Sequence, residues 1–285
     1  VDHPTPDEAT AEDRDVDPRN QLNDLTAREW TYFTRSVWST QYPAEYGHAL
    51  RKAHTANKPP RLCRELIEFF TKRGMRVLDP FAGVGGTLLA ASLAGRTALG
   101  IEIEPRWAAL YAAVCASEGI APQELIVADC RSALPALPAE SFDFILTDPP
   151  YYQTATARTS ADAPRLIAAF SDRAGEVGGL AGYDDFLAAL ASVFRELHRL
   201  LRPGRYAALF MKNRYIGGRF YPMAYDLARR MEAAGFEWRG EHIWNQTGQR
   251  LYPFGYPFAY VPNTVHHTIA IFRKPATGRP ARNGG

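Results

Sequence analysis

After Pro60, the apolar residues Leu62, Leu66, Phe69 and Phe70 recur at helical spacing, so Pro60 to Lys72 predicts an amphipathic helix that Gly74 closes. Upstream, Trp30, Phe33 and Trp38 follow Thr26, a residue suited to an N-cap, and predict a short helix with an aromatic face running to about Val37. Downstream the pattern changes. Short apolar runs at about 76–79, 97–102, 124–128, 142–147 and 205–211 alternate with helical stretches at about 87–94, 105–118, 184–201 and 222–234. Such alternation builds a parallel sheet, because each crossover needs a helix to return the chain to the same edge. Two last apolar-rich segments, 237–244 and 266–272, suit an antiparallel pair across the loop from Gln246 to Pro262.

The first twenty-two residues break this pattern. They are acidic, carry prolines and hold almost no large apolar side chain, which predicts a disordered tail. Residues 276–285 read as a second flexible tail. In the first twenty residues Asp2, Asp7, Glu8, Glu12, Asp13, Asp15 and Asp17 outweigh Arg14 and Arg19, so the net charge of +2 hides a more basic body. The rest, 23–275, has ample apolar content for one domain. No apolar run reaches the length of a membrane span and the N-terminus lacks a secretory pattern, from which a cytoplasmic, membrane-free protein is expected. Cys63, Cys115 and Cys130 are odd in number and far apart, and no histidine stands at metal-ligand spacing from them. Buried thiols and no metal site are the expectation.

Within the frame, Val77-Leu78-Asp79-Pro80-Phe81-Ala82-Gly83-Val84-Gly85-Gly86-Thr87 sets a strand, an acid, a glycine-rich turn and an apolar helix in series. Glycines there let a ligand approach the backbone. Glu102 ends the next strand, where a carboxylate can take both ribose hydroxyls, and Asp129 ends the third at the same edge. Three acids at successive strand ends suit a ligand with a ribose, an amine and a cationic centre better than a pyrophosphate, which points to S-adenosylmethionine. Each acid also has a structural alternative, as a helix cap, a solvated charge or a turn former.

A fourth strand end carries Thr147-Asp148-Pro149-Pro150-Tyr151. The amino group of adenine or cytosine is a poor nucleophile, since its lone pair is delocalised into the ring. A carboxylate on Asp148 and the carbonyl of Pro149 can both accept from one NH2 group, and consecutive prolines restrict the backbone that spaces them. Tyr151 offers a face on which a flipped base can stack. A proline-rich turn at a strand end is the ordinary alternative.

With both halves in view the chain resembles the DNA amino-methyltransferases, from about Asn23 to Lys274. The motifs that carry the likeness are DPFAGVGGT at 79–87, GIEIEP at 100–105, TDPPY at 147–151 and His54-Thr55-Ala56-Asn57-Lys58-Pro59 upstream. The resemblance implies a Rossmann-like class I methyltransferase α/β fold, its mostly parallel seven-stranded sheet ending in an antiparallel hairpin. It also implies S-adenosylmethionine as methyl donor, bound through Lys58, Asp79, Phe81, Gly83, Gly85, Thr87, Glu102 and Asp129. Catalysis would fall to Asp148, Pro149, Pro150 and Tyr151, acting on a base flipped from duplex DNA. An Asp at the first motif position is more usual for adenine enzymes of the family and Ser for cytosine enzymes, so adenine N6 is favoured over cytosine N4. Enzymes that methylate guanine N2 of tRNA share a similar motif, and a silent subunit that works through a partner is the third reading; homodimerisation and a paired restriction enzyme stay open.

No separate recognition domain fits. Only about thirty residues (about 152–183) and about seventeen (246–262) are free for insertions, well below ordinary domain size. By charge and loop position, Arg158, Lys212, Arg214 and Arg250 are the candidate DNA contacts, with Arg165 and Arg219 beside them. In the second insertion Tyr252, Phe254, Tyr256, Phe258 and Tyr260 alternate with Pro, Gly and Ala. Anchoring of the loop on the domain is the simpler expectation, and stacking faces for bases the other.

Overall fold

The computed structural model describes residues 15–54, 57–152, 177–180 and 182–276. Most of the first insertion, Arg158 and Arg165 with it, lies outside the described residues, as do 1–14 and 277–285. Helix α1 (Ala27–Phe33) opens with a capping box in which Thr26 and Glu29 bond reciprocally. Strand β1 (Val37–Trp38) and the single turn α2 (His48–Arg51) lead to α3 (Pro60–Phe70), which starts on its proline. Then come β2 (Arg76–Asp79), α4 (Gly86–Leu93), β3 (Thr97–Glu102), α5 (Pro105–Glu118), β4 (Glu124–Val127), α6 (Cys130–Ala133) and β5 (Phe142–Thr147). The chain finishes with α7 (Tyr183–Leu200), β6 (Leu201–Met211), the hairpin β7 (Arg214–Ile216) and β8 (Arg219–Tyr221), α8 (Met223–Ala233), β9 (Glu237–Asn245) and β10 (His266–Arg273).

The sheet order is β1-β9-β10-β6-β5-β2-β3-β4. Pairings from β4 through β6 are parallel, and β10 runs antiparallel to both β6 and β9, as the terminal apolar segments predict. The sheet has one strand more than expected: Val37 and Trp38 pair with Ile243 and Trp244 at the edge. Two residues are too few for a periodicity to reveal. The same holds for the β7–β8 hairpin, whose strands have three residues each.

Alternate residues feed two cores. Leu78 and Ile145 face α7 and α8, whereas Val77, Phe144, Leu146 and Phe210 face α3 and α4. On the second face Phe70 stacks on Phe144 at 5.0 Å, and Phe33 of α1 stacks on Phe69 at 3.7 Å. All three cysteines are buried thiols. Asn23 is fully buried and donates to the Phe69 carbonyl at 2.6 Å, tying the segment ahead of α1 to the end of α3. Residues 17–20, within the segment read as a tail, form a turn closed by the Asn20 amide on the Asp17 carbonyl. Among the described residues no helix is long and apolar enough to cross a membrane.

Strand order reverses between β2 and β5, since β3 and β4 lie to one side and β6 to the other. The carboxyl ends of such a pair open into a crevice that neither crossover covers. Close approach there depends on Gly100: a Cβ on it would stand 2.8 Å from Leu88 Cδ1 and 2.9 Å from both Ala82 Cβ and Leu125 Cδ1. Gly100→Ala is therefore expected to lower stability by about 1–3 kcal/mol through overpacking. A urea titration followed by tryptophan fluorescence measures it, and an unchanged midpoint would contradict the tight fit.

Candidate active site

The crevice is an open cavity of about 1060 Å3, counting its mouth. It collects side chains from distant parts of the sequence: Lys58, Asp79, Phe81, Gly83, Thr87, Glu102, Asp129 and the run Asp148 to Tyr151 all line it. Gly85 does not. It occupies the left-handed region at φ 76° as the N-cap of α4, where a Cβ would overlap the Tyr111 ring, so its part is to turn the chain.

Asp79 ends β2 almost fully buried and accepts from the Phe81 amide at 3.1 Å and from Thr147 Oγ1 at 2.8 Å. The second bond ties the ends of the two switch-point strands together. Burial pushes the Asp79 carboxyl up to about 6, the hydrogen bonds from Thr87, Thr147 and Phe81 opposing and the nearby Asp148 adding to the rise. Glu102 is also raised by burial, though its two oxygens accept from the Gly83 and Glu104 amides at 2.8 Å each. Asp129 differs. It caps α6 through the Arg131 amide and pairs with the Arg131 guanidinium at 2.5 Å, which holds its carboxyl below the usual range.

At the other end of the cavity, Asp148 is gripped from both sides. Its Oδ2 pairs with Lys58 Nζ, and its Oδ1 accepts from the Tyr151 hydroxyl at 2.8 Å. Pro149 is buried, and neither proline can donate an amide hydrogen, so the strand ladder stops where the carboxylate begins. Lys58 is placed by its own backbone: the fully buried Arg51 donates from Nη2 to the Lys58 carbonyl at 2.5 Å, and the Lys58 ammonium lies 5.4 Å from the Phe210 ring centre. Tyr151 has its ring 6.3 Å from His267, which burial keeps neutral.

Of the candidate nucleic-acid contacts among the described residues, Lys212 and Arg214 approach this end. Arg214 acts electrostatically on the Tyr151 hydroxyl, and Lys212 is pushed down to about 8 by burial, with Arg214 and Lys58 adding to the drop. Arg250 is exposed on the loop after β9, outside the cavity wall, its guanidinium 5.1 Å from the Tyr252 ring centre. The anchoring expected of that loop is not found for its outer rings, since Tyr256, Phe258 and Tyr260 are exposed.

The cavity also holds residues to which the sequence reading gave no role: His54, Asn57, Ile103, Trp107 and Phe210. The His54 and Trp107 rings meet edge-on at 4.8 Å, and burial pushes the His54 imidazole down to about 4. The only sequence cue to Trp107 is its place in the first turn of the helix after Glu102, since an aromatic there is as often core. Phe210 gives no cue at all, being one apolar residue in a central strand.

These residues fit S-adenosylmethionine. Asp79 and Glu102 are buried acids whose ionised forms the protein alone leaves poorly compensated, and a cationic ligand relieves that cost. Phe81, Ile103 and Trp107 supply the apolar wall that a purine needs. Among the described residues no group of three or more His, Cys, Asp and Glu is arranged to hold a metal ion.

The raised Asp79 carboxyl gives a signed pH dependence. Between about 4 and 6 the folded chain holds a proton that the unfolded chain releases, so this stabilisation is full below about 4 and lost as pH rises through 6. Asp79→Asn should therefore gain stability relative to the parent as pH rises from 4 to 8, by up to about 3 kcal/mol, while binding the cofactor more weakly. Denaturant unfolding at both pH values checks the first half and calorimetric titration with the cofactor the second; a constant stability difference would show that folding does not raise the Asp79 carboxyl.

Comparison with known proteins accords with this geometry. A family profile described as DNA methylase, of the N6/N4 methyltransferases, matches residues 5–113 and 142–280. The tRNA (guanine(10)-N2)-dimethyltransferase of Pyrococcus abyssi is 33% identical over 98 residues, which cover 34% of this chain and 30% of the relative. The type II methyltransferase M.BglI of Bacillus subtilis is 36% identical over 88 residues, covering 30% of this chain and 23% of the relative. The chain thus aligns with less than a third of the length of either protein. In fold it is similar to TrmN from Thermus thermophilus, with a TM-score of 0.51 at 18% identity over 82% of this chain and 54% of that one. The profile match spans most of the sequence and both ends of the cavity, and the chain belongs to the N6/N4 family of S-adenosylmethionine-dependent DNA methylases.

Proposed function

We propose that this chain transfers a methyl group to the exocyclic amine of a flipped base in DNA, adenine N6 before cytosine N4. One observation carries the reading: the Asp148 carboxylate and the Pro149 backbone share a single cavity with the cofactor acids Asp79 and Glu102. Acceptors for an amine thus face a site suited to a cationic methyl donor.

When bound, S-adenosylmethionine supplies an electrophilic methyl and a neutral leaving group. The protein's own part is to hold the nucleophile. Asp148 and the Pro149 carbonyl accept the two N–H hydrogens of the target amine, drawing the nitrogen toward tetrahedral geometry with its lone pair aimed at the cofactor end. A carboxylate has about four acceptor positions, so Asp148 can receive the amine while Tyr151 stays on Oδ1. Lys58 occupies Oδ2 and is the partner that a base entering along that side displaces. After the N–C bond forms, Asp148 is the nearest group able to receive the proton that the methylated nitrogen sheds. Tyr151, which lines the cavity, gives the base an aromatic face.

The similarity to tRNA guanine-N2 methyltransferases favours one second reading, the same chemistry on structured RNA. Incubating the chain with labelled cofactor and either mixed DNA or total tRNA, then digesting to nucleosides and weighing the products, separates the two readings and identifies the base. The expected product is N6-methyladenine from DNA; methylguanine from tRNA alone would overturn the proposal. Asp148→Ala should cut transfer at least about a thousandfold, the scale of losing an amine acceptor and its positioning together. Its cofactor affinity should stay within a few-fold of the parent, and transfer near the parental rate would contradict the role given to Asp148.

A further inference from the structure

The loop between β9 and β10 shows its rings to solvent: Tyr256 is 81% exposed, Phe258 94% and Tyr260 86%. It is nonetheless a built loop. The Asn263 side chain accepts from the Tyr252 amide at 3.0 Å and donates to the Tyr252 carbonyl at 2.8 Å, closing the loop at its base. At the tip the Phe258 and Ala259 amides both donate to the Gly255 carbonyl. A loop shaped in this way holds its backbone course, so little backbone ordering entropy remains to be lost when a ligand lands on its rings.

Charge and position select the ligand. From Gln246 to Val265 there is no Asp or Glu, while Arg250 stands beside Tyr252. The β7–β8 hairpin is alike: Arg202 to Tyr225 contains no acid but holds Lys212, Arg214 and Arg219, with Tyr215 and Phe220 partly in solvent. Both segments are rooted beside the amine-holding motif. Trp244, at the end of β9, packs on His267 at 5.4 Å, His267 lies against Tyr151, and Arg214 acts on the Tyr151 hydroxyl. Two acid-free segments that combine cations with open aromatic faces match an anionic polymer whose bases are unstacked. A reader of intact duplex would instead carry polar side chains outermost to reach base edges, whereas the most exposed large hydrophobic side chains of this loop are the rings of Tyr256, Phe258 and Tyr260.

Resting on the proposed DNA amino-methylation, we infer that the loop from Gln246 to Val265, together with the β7–β8 hairpin, is a stacking platform for unpaired nucleotides flanking the target base. The chain then takes single-stranded or locally opened DNA in preference to continuous duplex. Tyr256, Phe258 and Tyr260 stack on the bases, and Arg250 and Arg219 meet the phosphates.

The test is fluorescence anisotropy with the full chain and S-adenosylmethionine, using one fluorescein-labelled mixed-sequence oligodeoxynucleotide offered single-stranded, with a central bubble, and fully paired. The first two should bind about tenfold tighter than the third. The triple variant Tyr256→Ala, Phe258→Ala, Tyr260→Ala should lose at least about tenfold on the unpaired probes, with duplex binding, cofactor binding and melting temperature unchanged. Its salt dependence should match the parent's, whereas Arg250→Ala should lower the slope of log affinity against log salt by about 0.7. Equal affinity of parent and triple variant for all three probes would overturn the inference. So would sedimentation in which the triple variant breaks a dimer while DNA affinity is unchanged, since the rings would then serve a second copy of the chain. The two readings fail separately: ring-dependent binding of unpaired strands with methyl transfer to tRNA alone removes the DNA assignment, and methylation of DNA with ring-independent binding removes only the platform.

Discussion

The adjacency of β2 and β5 governs this molecule. They pair in parallel at the point where the strand order reverses, so the crossovers leaving their carboxyl ends turn away on opposite sides of the crevice. The hydrogen bond from Thr147 to Asp79 locks those two ends at 2.8 Å. An acid that suits a cofactor and a carboxylate that suits an amine are thereby set at one cavity, although 69 positions separate Asp79 from Asp148 in the chain. The apolar packing on both faces of the sheet, from Phe144 against Phe70 on one side to Ile145 against α7 on the other, keeps the two strands in that register.

The cavity is electrically divided. Asp79 and Glu102 lie toward the glycine-rich turn, where burial raises both carboxyls. Lys58, Lys212 and Arg214 gather at the Asp148 end, where mutual repulsion and burial lower the Lys212 ammonium. A cation is therefore favoured on one side and a polyanion on the other, the division that transfer from a sulfonium donor to a nucleic-acid base calls for. Lys58 joins the two halves, since its segment packs over the glycine-rich turn while its ammonium holds Asp148. Access of a base to Asp148 and the placement of the Lys58 segment are for that reason linked mechanically.

Beyond the cavity the surface continues the same logic in a different material. The β9–β10 loop sets open rings beside Arg250. Stacking requires only open faces in fixed positions, which a closed loop provides with few residues. On the inferred platform, stacking distinguishes unpaired from paired bases before it distinguishes one base from another.

Long periodic segments were legible because burial imposes a period on them: α3, α5, α7 and the strands from β2 to β6 lie within a few residues of their predicted bounds, apart from the earlier start of β6. The acids at strand ends were legible too, since a charged residue that directly follows an apolar run has few places to go but the sheet edge. Short elements left no period, which is why β1, α2, α6 and the β7–β8 hairpin appear only in the structure. The fate of each acid was likewise a matter of neighbours. Asp129 is neutralised by Arg131 two positions away, whereas Asp79 remains buried beside Thr147 from a remote strand. The sequence by itself determined the alternation that builds the sheet, the glycine turn and the carboxylate motif, because each is encoded in contiguous residues. Only the tertiary structure decided that Lys58 grips Asp148, that Trp107 and Phe210 wall the cavity and that the loop rings face water, because those outcomes depend on distances between segments far apart in the chain.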